Sequence, residues 1–272
     1  RGVRWRDALT GEEGEARAPV VFNAAGAWSP ALARASGVRV PMRPGKGVHL
    51  TLDRRWSSYG VICTAVDGRQ MFLMPHENES IVGTTDDDWY GDPDDLEATH
   101  DEVEYLLEGA ASLVPGVRRA RITRAWCGLR TTVYAYGPNE DALSREHQLL
   151  DGAADGAAGL LSIVGGKLAS YRAQSEEAAD RIEALLRRPV TPCRTHEEPL
   201  PGGDEVPDPA ALARELPVAA AVAARLVYRH GGRAREICGM IRDDALLGLV
   251  LCREEGILAA EVVYCARHEH VR

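Results

Sequence analysis

Hydrophobic and polar positions along the chain mark out its elements. Val3-Arg4-Trp5-Arg6 alternates, Thr10-Gly11-Glu12-Glu13-Gly14 turns, and Pro19-Val20-Val21-Phe22-Asn23 is a short buried run. Gly26 follows at once, and residues 28–36 read as a helix. A buried strand that ends in small residues before a helix is an α/β signature. Between Val38 and Thr85, residues 47–52, 60–63, 71–75 and 80–85 read as strands. Asp67-Gly68 and Glu77-Asn78 supply turn chemistry between them, so a mostly antiparallel sheet is expected.

Residues 99–113 predict a helix, with Thr99 as N-cap and Val103, Leu106, Leu107 and Ala110 on one face. Strand signal returns at 121–129 and at 147–151. Leu160-Leu161-Ser162-Ile163-Val164 is a continuous apolar strand that runs into Gly165-Gly166-Lys167 and a helix over 168–187. Residues 189–208 are rich in Pro and Gly and read as a linker. Helical pattern then fills 210–228 (interrupted near Pro217), 233–242 and 257–268. The fold class predicted is α/β (α+β), ending in a small helical domain.

Composition narrows the function. The 272 residues are 45% hydrophobic and 27% charged, enough apolar surface for a sizeable core. A net charge of −9 argues against a nucleic-acid footprint, but a local basic pocket for an anionic metabolite remains compatible with it. The six cysteines form no C-x-x-C pair and read as buried thiols of a reducing cytoplasm. No apolar run approaches the ~20 residues of a membrane span. The chain opens Arg1-Gly2-Val3 without Met and reads as a piece that starts mid-protein.

Four places carry chemistry. At Gly165-Gly166-Lys167 a strand opens into a helix, so backbone N–H groups and the helix dipole can face an anion, with Lys167 and Arg172 nearby. A plain turn with two solvated cations fits the same residues. Arg43-Pro44-Gly45-Lys46-Gly47-Val48-His49 allows close backbone approach, and His49 can take a proton near neutral pH; a hydrogen-bonded core histidine is the alternative. Arg130, after Gly128-Leu129 at the end of a buried strand, needs an anionic partner, either a ligand or an internal carboxylate. Gly83-Thr84-Thr85-Asp86 ends a strand. Asp86-Asp87-Asp88 lacks Ca²⁺-loop spacing and is assigned to turns and caps, so no metal is expected.

Their order says more than any one of them. Val21-Phe22-Asn23-Ala24-Ala25-Gly26-Ala27-Trp28, then the Arg43 to Leu50 segment, Val82-Gly83-Thr84-Thr85-Asp86, Gly128-Leu129-Arg130, and Gly165-Gly166-Lys167-Leu168-Ala169-Ser170-Tyr171-Arg172 together resemble the FAD-dependent glycerol-3-phosphate dehydrogenases. Glu261-Val262-Val263-Tyr264-Cys265 looks like that family's C-terminal helical domain. Thr131, Ala169 and Ala27 depart from the family's usual Pro, Thr and Pro.

The resemblance implies a partial enzyme. Residues 1–36 would be the tail of a Rossmann-type FAD domain and 37–127 a substrate-binding sheet. Residues 128–190 would return to the FAD domain, 191–208 would be a linker and 209–272 the helical domain. It implies oxidation of sn-glycerol 3-phosphate to dihydroxyacetone phosphate, with FAD as cofactor and a quinone as acceptor. The location would be cytoplasmic, with peripheral contact at the inner face of the cell membrane. Arg130 and Arg145 would bind the substrate phosphate, and His49 would be the candidate base. Lys167, with Gly165, Gly166 and Leu168, would lie by the flavin, and Asn23, Ala24 and Gly26 would pass close to it. Thr84, Thr85 and Asp86 would support the site. The 130–167 stretch lacks the long insertion of glycerophosphate oxidases, which favours a dehydrogenase. A related FAD-dependent amino- or hydroxy-acid oxidase, in which one Arg clamping a carboxylate would suffice, stands as an alternative, and so does a flavin-free module, because no G-x-G-x-x-G follows an N-terminal strand.

Overall fold

The computed structural model describes residues 2–137, 146–215 and 218–269. In chain order it contains strands β1 (Val3–Arg6), β2 (Glu13–Ala16) and β3 (Val21–Asn23), then helix α1 (Ser29–Arg34). Strands β4 (Met42–Leu52), β5 (Val61–Thr64), β6 (Gln70–His76), β7 (Glu79–Gly83) and β8 (Asp87–Asp88) lead to helix α2 (His100–Ala111). Strands β9 (Ile122–Val133), β10 (Gln148–Asp151) and β11 (Leu160–Val164) precede helix α3 (Tyr171–Leu185). Helices α4 (Pro209–Glu215), α5 (Ala220–His230) and α6 (Ala234–Asp243), strands β12 (Val250–Cys252) and β13 (Ile257–Leu258), and helix α7 (Ala259–His268) complete the chain. The chain divides into two units, Arg1–Thr191 and Pro192–Arg272.

In the first unit, β3 pairs in parallel with β11, and β11 pairs antiparallel with β10. The apolar run of β11 is buried as its composition demands: Leu160 and Val164 pack with Ala33, Val38 and Val40. Strands β1 and β3 are those expected from the sequence, but β1 pairs with β2, which occupies part of the predicted turn and whose Glu13-Gly14-Glu15-Ala16 carries no strand signal. The larger sheet has the order β5-β6-β7-β4-β8, with β9 pairing along the other edge of β4. Alternation on β4 turns Lys46, Val48, Leu50 and Leu52 to one face and Gly45, Gly47, His49 and Thr51 to the other. The first face packs with Met71, Leu73 and Val82 against Leu106, Leu107 and Ala110 of α2. Each fully buried leucine there contributes about 2 kcal/mol. Thr99 and Glu102 close a reciprocal capping box at the start of α2, as the Thr99 signal predicts.

Strand β9 continues to Val133, beyond the predicted 129 and through the 127/128 boundary drawn from the sequence. The ladder from Met42↔Val133 to Leu52↔Ile122 carries it past the polar Arg130-Thr131-Thr132, where hydropathy alone shows no strand. A 3₁₀ turn at Leu168–Ser170 precedes α3, where a single helix is expected from the sequence.

The second unit is helical around Leu212, Leu226, Ile237, Ile241, Leu258 and Tyr264. Its β12–β13 hairpin is too short and too interrupted by polar residues to show a period. The stretch expected to be a linker is not free chain at Gly202, whose carbonyl accepts from the Gly232 N–H at 2.8 Å. Glu261 is buried at the start of α7, where it accepts from the Leu258 N–H (2.9 Å), Arg225 (2.7 Å) and His230 (3.1 Å).

Candidate active site

The site is built on the face of β4 turned away from α2. Antiparallel register sets Arg130 of β9 opposite Gly45, Gly128 opposite Gly47, and Trp126 opposite His49. The Arg130 fork folds back across the two glycines. Its Nη1 donates to Asp86 Oδ1 at 2.9 Å, and its Nη2 donates to Thr84 Oγ1 at 3.0 Å and to the Thr85 carbonyl at 3.1 Å. This placement of the side chains needs glycine beneath it: a Cβ on Gly45 would stand 2.7 Å from Asp86 Oδ1, and one on Gly47 2.7 Å from Thr84 Oγ1. Thr85 serves the strand itself. Its Oγ1 accepts from the Val48 N–H at 3.0 Å, where the β7 ladder has ended.

Arg130 therefore has the internal carboxylate partner that its position demands, and its side chain keeps 26% exposure. An oriented guanidinium that is part-neutralised and part-open can still grip an incoming anion. Asp86 is thus an arginine partner, and Asp88 likewise holds Arg43 at 2.8 Å. This corrects the turn-and-cap assignment of the acidic run: Asp86 and Asp88 are each satisfied by a side chain some forty residues away, and Asp87 lies 3.7 Å from Arg69, which local spacing cannot reveal. Lys46 also leaves the glycine motif. It points to the opposite face and meets Glu102 at 2.8 Å in a buried pair.

His49 is half-buried, and its ring lies flat on Trp126, with centroids 4.2 Å apart and planes 5° from parallel. Its Nδ1 is buried without a hydrogen-bond partner among the described residues. Burial, and then the Arg130 cation, hold its pKa below the ordinary histidine value. The ring is therefore neutral at neutral pH and able to accept a proton.

Gly165 and Gly166 both have positive φ, +78° and +87°, which glycine adopts without strain. They turn β11 into the Leu168–Ser170 helical turn and line an open cleft of about 380 Å³; a Cβ on Gly166 would meet the Gln174 amide and one on Gly165 the Glu146 carbonyl. Arg130, Gly165, Gly166, Lys167 and Leu168 line this cleft together. Lys167 and Leu168 are exposed at its rim, whereas Arg172 is paired with Glu176 at 2.7 Å. Asn23 is buried and spends its side chain internally, donating to the Ser29 carbonyl (3.1 Å) and Ser162 Oγ (3.2 Å). Ala24 is exposed, and Gly26, at φ +58°, opens a turn that lies against β9. Arg145 falls outside the described residues. Trp126 is the member that sequence reasoning missed, whereas Asp86 supports the site, as the resemblance implies. The only signal for Trp126 is its even spacing from Gly128 and Arg130, which puts all three on one face of a strand.

Residues 1–172 match the family model for FAD-dependent oxidoreductases, and residues 193–272 match that for the C-terminal domain of alpha-glycerophosphate oxidase. One polypeptide of the anaerobic glycerol-3-phosphate dehydrogenase of Escherichia coli is 34% identical over 99% of this chain and 49% of its own length. The aerobic glycerol-3-phosphate dehydrogenase of Staphylococcus haemolyticus is 30% identical over 100% of this chain and 51% of its own. The solved structure of the Bacillus halodurans glycerol-3-phosphate dehydrogenase complexed with FAD superposes with a TM-score of 0.77 at 27% identity, covering 99% of this chain and 54% of that one. The chain spans about half the length of the curated relatives it matches.

Proposed function

Since the chain belongs to the family of FAD-dependent oxidoreductases and carries a region matching the C-terminal domain of alpha-glycerophosphate oxidase, we propose that the intact protein oxidises sn-glycerol 3-phosphate to dihydroxyacetone phosphate and passes the electrons to a quinone. The observation that carries this reading is the shared cleft: Arg130 from β9 and Lys167 from beyond the end of β11 line one opening beside the Gly165-Gly166 turn.

Each group has a part that its surroundings suit. Arg130, pre-oriented by Asp86 and Thr84, binds the substrate phosphate, with Arg145 as a second cation. His49, neutral and aligned on Trp126, accepts the proton of the C2 hydroxyl as the C2 hydride leaves. FAD, when bound, supplies the hydride acceptor. The bare Gly165-Gly166 backbone, Lys167 and Leu168 would hold the flavin edge, and Lys167 would keep positive potential where reduction places negative charge. The turn from Asn23 through Ala24 to Gly26 would border the same cofactor, with Asn23 acting through the backbone it fixes.

A quinone acceptor would bring the intact protein to the inner face of the cell membrane as a peripheral enzyme. Among the described residues no helix is long and apolar enough to cross a membrane. The phosphate assignment is tested by Arg130→Ala in the intact protein. Affinity for glycerol 3-phosphate should fall by about a hundredfold, the equivalent of ~2.7 kcal/mol. Unchanged affinity would contradict the assignment. A wild-type protein indifferent to the phosphate group would point instead to an amino- or hydroxy-acid oxidase.

A further inference from the structure

A working histidine is usually oriented by a hydrogen bond from the ring nitrogen that does not do the chemistry. His49 has no such bond: its Nδ1 is buried and unpartnered among the described residues. Something else must set the plane of the ring, and two neighbours are placed to do so. The indole of Trp126 covers one face in a nearly parallel stack, 4.2 Å between centroids and 5° between planes. From the other neighbouring strand, Gly83 is paired opposite His49, and a Cβ on Gly83 would collide with His49 Cδ2 and lie 2.7 Å from Nε2. The ring is therefore confined between an aromatic plate on β9 and bare backbone on β7.

We propose that Trp126 is a positioning residue for His49, its indole acting with the bare Gly83 backbone to fix the imidazole plane in place of a hydrogen bond. Strand register makes this contact: His49↔Trp126 and His49↔Gly83 are directly opposed pairs, so their side chains rise from one face of the sheet. Trp126 is not among the residues that line the cleft at Lys167. Its contact in the site is the stack on His49.

This inference rests on the reading of His49 as the proton acceptor. Its test is chosen to separate the two. In the intact protein labelled with ¹³C-histidine, the variant His49→Gln identifies the His49 resonances. The stack predicts an upfield ring-current shift of these signals. Trp126→Leu should abolish that shift and slow the limiting rate of anaerobic flavin reduction by glycerol 3-phosphate by about tenfold to a hundredfold. Substrate affinity should stay within about threefold of wild type, because no phosphate contact is lost. Trp126→Phe keeps a flat ring and should restore both shift and rate. An unchanged His49 signal and rate in Trp126→Leu, or no rescue by Phe, would overturn the proposal. Should Trp126→Leu fail to fold, Gly83→Ala gives the second reading. It drives the ring off its seat from β7, so the upfield shift should be lost, and its retention would overturn the proposal. If the wild-type flavin is not reduced by glycerol 3-phosphate, the functional reading fails, and the ring-current comparison still decides on the stack.

Discussion

The guanidinium of Arg130 crosses directly over the α-carbon of Gly47: a Cβ at that position would stand 2.6 Å from Nη2 and 2.8 Å from Nη1. The backbone of β4 is extended there, so alanine meets no conformational strain, only the arginine. Gly47→Ala should therefore displace the fork and leave the sheet intact. The expected outcome is a KM for glycerol 3-phosphate raised about tenfold, with thermal stability lowered by no more than ~1.5 kcal/mol. Steady-state kinetics with a melting curve check both, and an unchanged KM would show that Arg130 does not bind substrate from this pose.

Asp86 and Arg130 separate stability from affinity. Both side chains are largely buried, at 12% and 26% exposure, so removing the arginine alone strands a carboxylate in poor solvent. Arg130→Ala should cost about 3 kcal/mol of stability in addition to affinity. Arg130→Ala combined with Asp86→Asn should recover most of the stability and none of the affinity. Denaturant unfolding of the single and double variants, with substrate titrations, reads the difference.

Lys46 and Glu102 form the buried pair on the opposite face of β4, at 7% and 13% side-chain exposure. Burial raises the Glu102 pKa, but Lys46 and the Thr99 cap outweigh it and hold the carboxyl below its ordinary value. A depressed carboxyl pKa stabilises the fold above the unfolded value, and that contribution is lost as pH falls through the folded one. Lys46→Met removes the counterion, and Glu102 then favours its neutral form. The variant should lose about 3 to 5 kcal/mol near pH 7, and its deficit against wild type should shrink below pH ~4.5. A deficit that does not change with pH would mean the pair acts by packing alone.

Glu261 sets the acid limit of the helical unit. Burial opposes its charge, yet His230, the Leu258 N–H and Arg225 bring its pKa from 4.5 to about 2. The sign is that of a depressed carboxyl: its stabilisation is full above pH 4.5 and is lost as pH falls toward 2. The amount is about 3 kcal/mol. Glu261→Gln should lower neutral-pH stability by a similar amount and flatten the dependence over that window. Chemical unfolding of both proteins at pH 6 and pH 3 checks it.

The elements that could be read from the sequence are those whose signal is local. The Thr99 N-cap, the strand cores at 47–52 and 71–75, and the apolar run of β11 each sit where their residue pattern puts them, although β4 starts earlier, at Met42. The glycines at 45, 47, 165 and 166 likewise mark places where backbone must be approached or turned. Pair partners were not legible. Arg130 with Asp86, Lys46 with Glu102 and His49 with Trp126 are set by strand register and helix packing across 44 to 77 residues of chain, and no window of sequence contains both members. The polar end of β9 was missed for the same reason, because its ladder with β4 defines the strand and its hydropathy does not.

The central claim is that this chain is the substrate-facing part of an enzyme that takes a hydride from glycerol 3-phosphate. Its most direct test is anaerobic addition of glycerol 3-phosphate to the purified intact protein while the flavin absorbance band is followed. The account predicts rapid bleaching with glycerol 3-phosphate, little with glycerol, and bleaching by glycerol 3-phosphate that is lost at the same concentration in Arg130→Ala. A flavin band that persists with glycerol 3-phosphate and bleaches with an amino or hydroxy acid would contradict it, as would a folded intact protein that carries no flavin.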